Sequence, residues 1–249
     1  MSSKASYHNK ILVLSPTRNF LYPLKLFVES MLRVLESRSD VELVLLDNGS
    51  DADTVQYLNS LSHPQLEVRL LLQNIGKPNG INQFIRAELS PHNLPKVLLS
   101  IDSDISFSVQ SFNTLVEASE NIPNLGMLSM RYEDNGFNPE KHLVFPAKKF
   151  NINGVRYSIN PPFLCNVAGG IIALDGNLIQ ELGFTLYPKA EGKIRYPDDG
   201  FLYDLLKKKG RLSGYLNNTL ATHWRSADRV AYDETLPIET YLKRHDPNL

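Results

Sequence analysis

The first hundred residues of this chain predict a parallel, doubly wound α/β sheet, on three observations. Short apolar runs recur at residues 11–14, 41–46, 66–72 and 96–101. The stretches between them carry helical period rather than strand alternation, and each run stops at a cluster of turn-forming polar residues. Strands and helices in strict alternation argue for parallel strands joined by crossover helices.

Each element has a local cause. The run Ile11, Leu12, Val13, Leu14 is a buried strand closed by Ser15 and Pro16. Leu24, Phe27, Val28, Met31, Leu32 and Leu35 recur at three, four and seven, the stripe of an amphipathic helix. A second strand at 41–46 stops at Asp47-Asn48-Gly49-Ser50, after which Asp51 or Asp53 can cap a short helix to Leu61. A third strand covers 66–72. A helix follows Pro78 and runs to Glu88, since proline suits a first turn. The fourth strand ends in Ile101-Asp102-Ser103-Asp104.

Beyond residue 105 the pattern predicts a helix over 109–121 and a strand over 125–132. A hairpin with loops is expected within 135–162, then a strand over 167–174 with a glycine pair at 169–170. Helices are expected at 177–182 and 198–209, the second closed by Gly210. The tail after Trp224 is polar and is expected to cover a site or move freely. No linker composition interrupts the chain, so 1–249 reads as one domain.

Composition narrows the function. Lys and Arg number 26 against 27 Asp and Glu, so neither nucleic acid nor an anionic membrane is expected as a partner. One cysteine, Cys165, excludes an internal disulfide framework and a cysteine zinc site. No run of 18 apolar residues and no signal peptide is present, so the expectation is a soluble cytosolic protein, with bacterial or viral origin plausible. Two glycosylation sequons, at Asn48 and Asn217, carry no weight in that setting.

In open α/β sheets a ligand sits at the carboxyl ends of the strands. Three strand ends here are polar and short: Pro16-Thr17-Arg18-Asn19, Asp47-Asn48-Gly49-Ser50, and Asp102-Ser103-Asp104. Parallel strands would bring them to one edge. Two carboxylates spaced i, i+2 past a strand can lean on one hard cation, and such an ion suits diphosphate oxygens. Asp47 can accept the imide N–H of a pyrimidine base, Thr17 and Asn19 can hold base or ribose, and Asp102 and Asp104 can meet ribose and metal. Each cluster alone also reads as an ordinary turn.

The ordered set resembles the GT-A glycosyltransferases, most closely glycosyltransferase family 2. The resemblance rests on Pro16-Thr17-Arg18-Asn19, Asp47-Asn48-Gly49-Ser50, Asn74-Ile75-Gly76 with Asn82, Asp102-Ser103-Asp104, Gly169-Gly170, Asp198-Asp199-Gly200 with Gly210, and Thr222-His223-Trp224. It runs over roughly residues 10–225. It departs from the family at Ile81, where an arginine is usual, at Asp198 in place of glutamate, and at Phe201 and Leu205. Lys77 can stand in for the missing arginine.

That resemblance implies a Rossmann-like, mostly parallel central sheet flanked by helices, with a mixed acceptor-binding second half. Residues 8–105 would bind the nucleotide sugar, 106–225 the acceptor, and 226–249 would be a tail. Pro16, Thr17, Asn19, Asp47, Asn74, Gly76, Lys77, Asp102 and Ser103 would line the nucleotide site. Asp104 and His223 would hold Mn²⁺ or Mg²⁺. Asp199 would be the general base and Asp198 would orient hydroxyls, with Gly169, Gly170 and Trp224 near the sugars. The implied activity is transfer of a sugar, from a UDP-sugar by preference, to a glycan or glycoprotein hydroxyl, with inversion.

Plainer roles compete for several residues. Asp198 can be an N-cap, Asp199 a first-turn carboxylate, and His223 an ordinary histidine. Trp224, Tyr157, Tyr187 and Tyr196 can be core packing, Cys165 a small buried hydrophobe, and Lys207–Lys209 a solvated helix end. A weaker likeness to the fungal α-mannosyltransferases keeps a retaining reaction open. A haloacid-dehalogenase-type phosphatase would place its Asp-x-Asp after the first strand, not the fourth. A nucleotidyltransferase would need a glycine-rich loop after the first strand. A degenerate sugar- or nucleotide-binding module is the non-enzymatic reading.

Overall fold

The computed structural model describes residues 6–132, 145–162, 166–188, 190, 193 and 198–224. The first half follows the expected alternation: β1 Ile11–Thr17, α1 Leu21–Ser37, β2 Val41–Asn48, α2 Ala52–Ser60, β3 Leu66–Leu71, α3 Lys77–Glu88 and β4 Val97–Ile101. The second half holds β5 Ile105–Phe107, α4 Val109–Asn121, β6 Leu125–Tyr132, β7 Lys148–Ile152, β8 Val155–Asn160, β9 Ile171–Asp175, α5 Gly176–Glu181, α6 Asp198–Lys208 and β10 Leu212–His223. Asp51 and Ser108 cap α2 and α4, each taking a backbone N–H three residues on.

All ten strands join one sheet in the order β3-β2-β1-β4-β9-β6-β10-β8-β7, with β5 paired to β10. The pairs β3/β2, β2/β1 and β1/β4 are parallel. Chain direction then alternates: β9 is antiparallel to both β4 and β6, β10 is parallel to β6, and β8 is antiparallel to β10. The sheet thus has the parallel first half and mixed second half that the resemblance implies.

The central strands are apolar because both faces are covered. Ile11, Leu12, Val13, Leu14, Leu98 and Leu99 have no exposed surface. The β1-α1-β2-α2-β3 progression runs one way along the sheet, and the α3 crossover to β4 runs back past β2 and β1. Right-handed connections therefore put α3 on the face opposite α1 and α2, and the strand order reverses between β1 and β4. Ile81 on α3 is wholly buried, so an arginine there would put an unpaired cation in the core.

Three differences from the sequence expectations have physical causes. The expected strand over 167–174 begins only at Ile171, because residues 167–170 turn in toward the strand ends instead of joining the ladder. Strand β10 has no local signature: it carries a glycine and an Asn-Asn pair, and its register with β6 slips between Leu216 and Leu220, where Asn218 takes a φ of 65°. Strand β5 is three residues long and exists through its pairing with β10.

Tyr157 and Tyr187 are buried, which is the packing reading, and Lys207 and Lys208 stand in the last turn of α6. Cys165, Tyr196 and the tail from residue 225 lie outside the described residues. No described helix is long and apolar enough to cross a membrane.

Candidate active site

The reversal point between β1 and β4 opens into a cavity of about 270 Å³, lined by Pro16, Thr17, Arg18, Asn48, Asn74, Gly76, Lys77, Asp102, Ser103 and Asp104. Its first wall is made by loops tied to one another. The Asn19 N–H donates to Ser50 Oγ at 2.8 Å, and the Asp51 N–H donates to Asn19 Oδ1 at 2.9 Å. These bonds hold Asn19 and Phe20 in the left-handed region, with φ of 53° and 59°. Asn19 thus joins the β1 and β2 loops, and it is not among the residues lining the cavity.

Asn48 donates to Asn74 Oδ1 at 2.9 Å and accepts the Ile75 N–H at 2.9 Å, while Asn74 Oδ1 also accepts the Gly76 N–H. The turn at Gly49 must be glycine on two counts. Its φ is 76°, and a Cβ there would lie 2.8 Å from Asn74 N. Asp47 is buried; its Oδ2 accepts the Ser50 N–H, while its Oδ1 meets no hydrogen-bond donor among the described residues.

Tertiary pairing completes the acidic end. The Asp102 N–H donates to Gly170 O at 2.8 Å, and the Trp224 N–H donates to Asp104 O at 2.9 Å. The end of β10 pairs with β5, setting His223 opposite Ile105, and Trp224 Nε1 donates to Ser106 Oγ at 3.0 Å. Asp104 Oδ1 and His223 Nε2 then stand 3.4 Å apart, with Asp104 buried and the Tyr132 ring tilted against the imidazole. Trp224 serves as a clamp on the acidic loop.

Lys77 is the centre of the constellation. Its Nζ lies 2.9 Å from Asp102 Oδ1 and donates to Gly169 O at 2.9 Å. Burial pushes the Asp102 carboxyl above the usual carboxylate range, and Lys77 pulls against that rise while Asp104 adds to it. Beyond Gly169 stands Asp199 in the first turn of α6. Its Oδ2 accepts the Gly169 N–H at 3.1 Å, and its Oδ1 accepts the Gly200 N–H at 2.9 Å. A Cβ on Gly169 would lie 2.7 Å from Asp199 Cβ, so only glycine permits this approach. Asp198 opens α6, and its side chain is outside the described atoms.

The donor set fits a hard divalent cation. Two ligands of one such ion, each about 2.1 Å from it and roughly at right angles, lie about 3 Å apart. The 3.4 Å between Asp104 and His223 suits this, and the carboxylate oxygen suits a hard cation. Among the described residues no cluster of three or more His, Cys, Asp or Glu can hold a metal.

The structure therefore gathers Pro16, Thr17, Asn74, Gly76, Lys77, Asp102, Ser103 and Asp104 around one cavity. His223, Gly169, Gly170 and Asp199 join it through hydrogen bonds and ion pairs. Sequence reasoning did not single out Asn48 as a site residue, although it sits inside a quoted motif, or Tyr215, whose hydroxyl accepts the Ala168 N–H and which had no local signal.

The parallel first half and mixed second half of the sheet make this the GT-A fold of the glycosyltransferases. The chain belongs to the family described as Glycosyl transferase family 2, whose profile matches residues 13–172. By sequence, no curated protein matches it. Among solved structures it is similar to the mannosyltransferase PcManGT from Pyrobaculum calidifontis in complex with GDP-Man and Mn²⁺. There the TM-score is 0.60 at 16% identity, over 86% of this chain and 56% of that one. It is also similar to GalNAc-T7 with UDP, GalNAc and Mn²⁺, with a TM-score of 0.61 at 14% identity over 86% and 43% of the two chains. TarS 1–349 of S. aureus in complex with UDP-GlcNAc gives 0.57 at 16% over 86% and 58%. At these identities the likeness establishes the fold. The chain spans about half the length of these structures.

Proposed function

We propose that this chain is a metal-dependent glycosyltransferase. It moves a sugar from a nucleoside diphosphate sugar, UDP-linked by preference, to a hydroxyl of a glycan or glycoprotein, with inversion. The observation that carries this reading is the linked set Asp102, Lys77, Gly169, Asp199: the acidic pair Asp102 and Asp104 lines one cavity with a cation, and that cation meets the backbone of Gly169, whose N–H holds a candidate base. The GDP-Man, UDP-GlcNAc and Mn²⁺ bound to the similar structures agree with it.

Each residue has a task set by its surroundings. The buried Asp47 Oδ1 would accept a base N–H, the one partner its pocket lacks among the described residues. Thr17 and Asn74 would border base and ribose, and Asp102 would meet the ribose or a metal-bound water. Asp104 and His223 would hold the cation, which when bound offsets diphosphate charge as a Lewis acid. Lys77 would add its own positive charge on the same leaving group, taking the place of the arginine absent at Ile81. Asp199, fixed by two backbone N–H groups, would take the acceptor's hydroxyl proton as that oxygen attacks the anomeric carbon and the bond to the diphosphate oxygen breaks. A positioned base of this kind contributes about 10²–10⁴-fold. Asp198 would orient hydroxyls, and Trp224 and Gly170 would border the sugars.

Calorimetric titration with UDP, GDP, dTDP and CMP, each with and without Mn²⁺, tests the reading on the wild type and Asp104→Ala. Metal-dependent binding of one nucleotide, lost in Asp104→Ala, is the expected result, and Asp199→Asn should keep that binding while losing turnover. Binding indifferent to both metal and Asp104 would rule the reading out. Donor binding and biological activity both untouched by Asp199→Asn, with no sugar turned over, would favour a non-enzymatic module.

A further inference from the structure

Residues 168–170 precede β9, and apart from the Asp102–Gly170 bond that continues its pairing with β4 the sheet does not fix them. They are fixed by other means. Gly169 is held between Lys77 and Asp199, and Gly170 O accepts the Asp102 N–H. Those three anchors belong to the site itself, two of them as charged side chains that meet ligands in the proposed reaction. The fourth does not. The Ala168 N–H donates to Tyr215 Oη at 2.9 Å, and Tyr215 is a buried residue of β10. Its backbone is locked in the sheet, opposite Ser129 of β6 and Asn160 of β8.

We propose that Tyr215 is a positioning residue, which sets residues 168–170 so that the Gly169 N–H holds Asp199 in place. The inference rests on the transferase reading and extends it to a residue outside the cavity. The geometry leaves little slack: a Cβ on Gly169 would lie 2.7 Å from Asp199 Cβ, and one on Gly170 would lie 2.7 Å from Ile105 Cδ1. A segment this close to two side chains transmits a small shift directly to both. Strand β10 also carries His223, eight residues further on, to Asp104. One strand thereby sets the spacing between the metal-side imidazole and the segment that holds the base. With the Tyr215 hydroxyl removed, the Ala168 N–H loses its acceptor and the segment loses the one of these four anchors that lies outside the site, so Gly169 can shift against Asp199 while Asp104 and His223 keep their pairing.

The test is Tyr215→Phe, read in three ways. Hydrogen exchange at the Ala168 and Gly169 amides should speed up about tenfold, kcat should fall about tenfold, and the affinity for the nucleotide with Mn²⁺ should stay within twofold of wild type. Unchanged exchange at those amides overturns the proposal. So does unchanged kcat, or a loss of nucleotide affinity parallel to the loss of kcat. If the wild type turns over no sugar donor, the transferase reading fails, and the exchange measurement still decides whether Tyr215 orders the segment. Gly169→Ala strikes the same contact from the other side. It should lower kcat with nucleotide affinity retained, and it serves as the second variant should Tyr215→Phe not fold.

Discussion

Lys77→Met removes the cation at the centre of the site, and its consequence can be worked from the geometry. The ammonium lies 2.9 Å from Asp102 Oδ1, with both side chains largely screened from water. At that distance the pair attraction is about 6 kcal/mol for an effective dielectric of about 20. Desolvation of both ions offsets most of it, and charge-assisted bonds of this kind net about 1.5–3 kcal/mol. In the free protein Lys77 neutralises Asp102. With a diphosphate in the cavity the same charge would face the phosphates, and without it Asp102 repels them. Taking about 2 kcal/mol, nucleoside diphosphate affinity should fall about 30-fold. Calorimetry in saturating Mn²⁺ reads this directly. Lys77→Arg should recover part of the affinity, since the charge returns in a bulkier, forked group. A Lys77→Met protein that binds the nucleotide within threefold of wild type would refute the reasoning and return Lys77 to a purely structural role.

His223→Ala should raise the Mn²⁺ concentration needed for nucleotide binding at least tenfold, because a proposed protein ligand is lost, and a manganese titration at fixed nucleotide measures it. Asn82→Ala should cost about 3 kcal/mol and lower the melting temperature by about 6–12 °C. That buried amide accepts the Leu186 and Tyr187 N–H groups and donates to Tyr187 O. Tyr132 bears on alkaline stability: burial raises its phenol well above the ordinary value. The unfolded chain therefore loses this proton first, so the stability it lends is full below about pH 10 and falls by about 1.4 kcal/mol per pH unit above it. Tyr132→Phe should flatten denaturant-midpoint curves between pH 10 and 12 by that slope, and an unchanged slope would show that the phenol titrates normally.

Much of the fold was written locally. Apolar runs of strand length, the stripe from Leu24 to Leu35, and caps at Asp51 and Ser108 each depend on neighbours a few residues away, so period and turn chemistry suffice to place them. Parallel strands followed from alternation, and with them one edge for the polar ends at 16–19, 47–50 and 102–104. The i, i+2 pair at Asp102 and Asp104 was visible because both residues sit in one short turn.

Other decisions belong to contacts between distant residues. Strand β10 carries no period of its own and is a strand because β6, β8 and β5 supply its partners. Its register sets His223 beside Asp104, 119 positions earlier. Lys77 meets Asp102 only because α3 starts at the same sheet edge, and Ile81 departs from the family pattern where that helix turns into the core. Asp199 reaches Gly169 because the backbone there has no side chain to keep α6 away. In the first half the sequence by itself determined which residues form strands and helices and which strand ends are polar, since those depend on local sterics and burial period. Which charge neutralises which, and which backbone N–H holds Asp199, was decided by tertiary packing, because electrostatic pairing depends on a few ångströms of separation that chain distance does not encode.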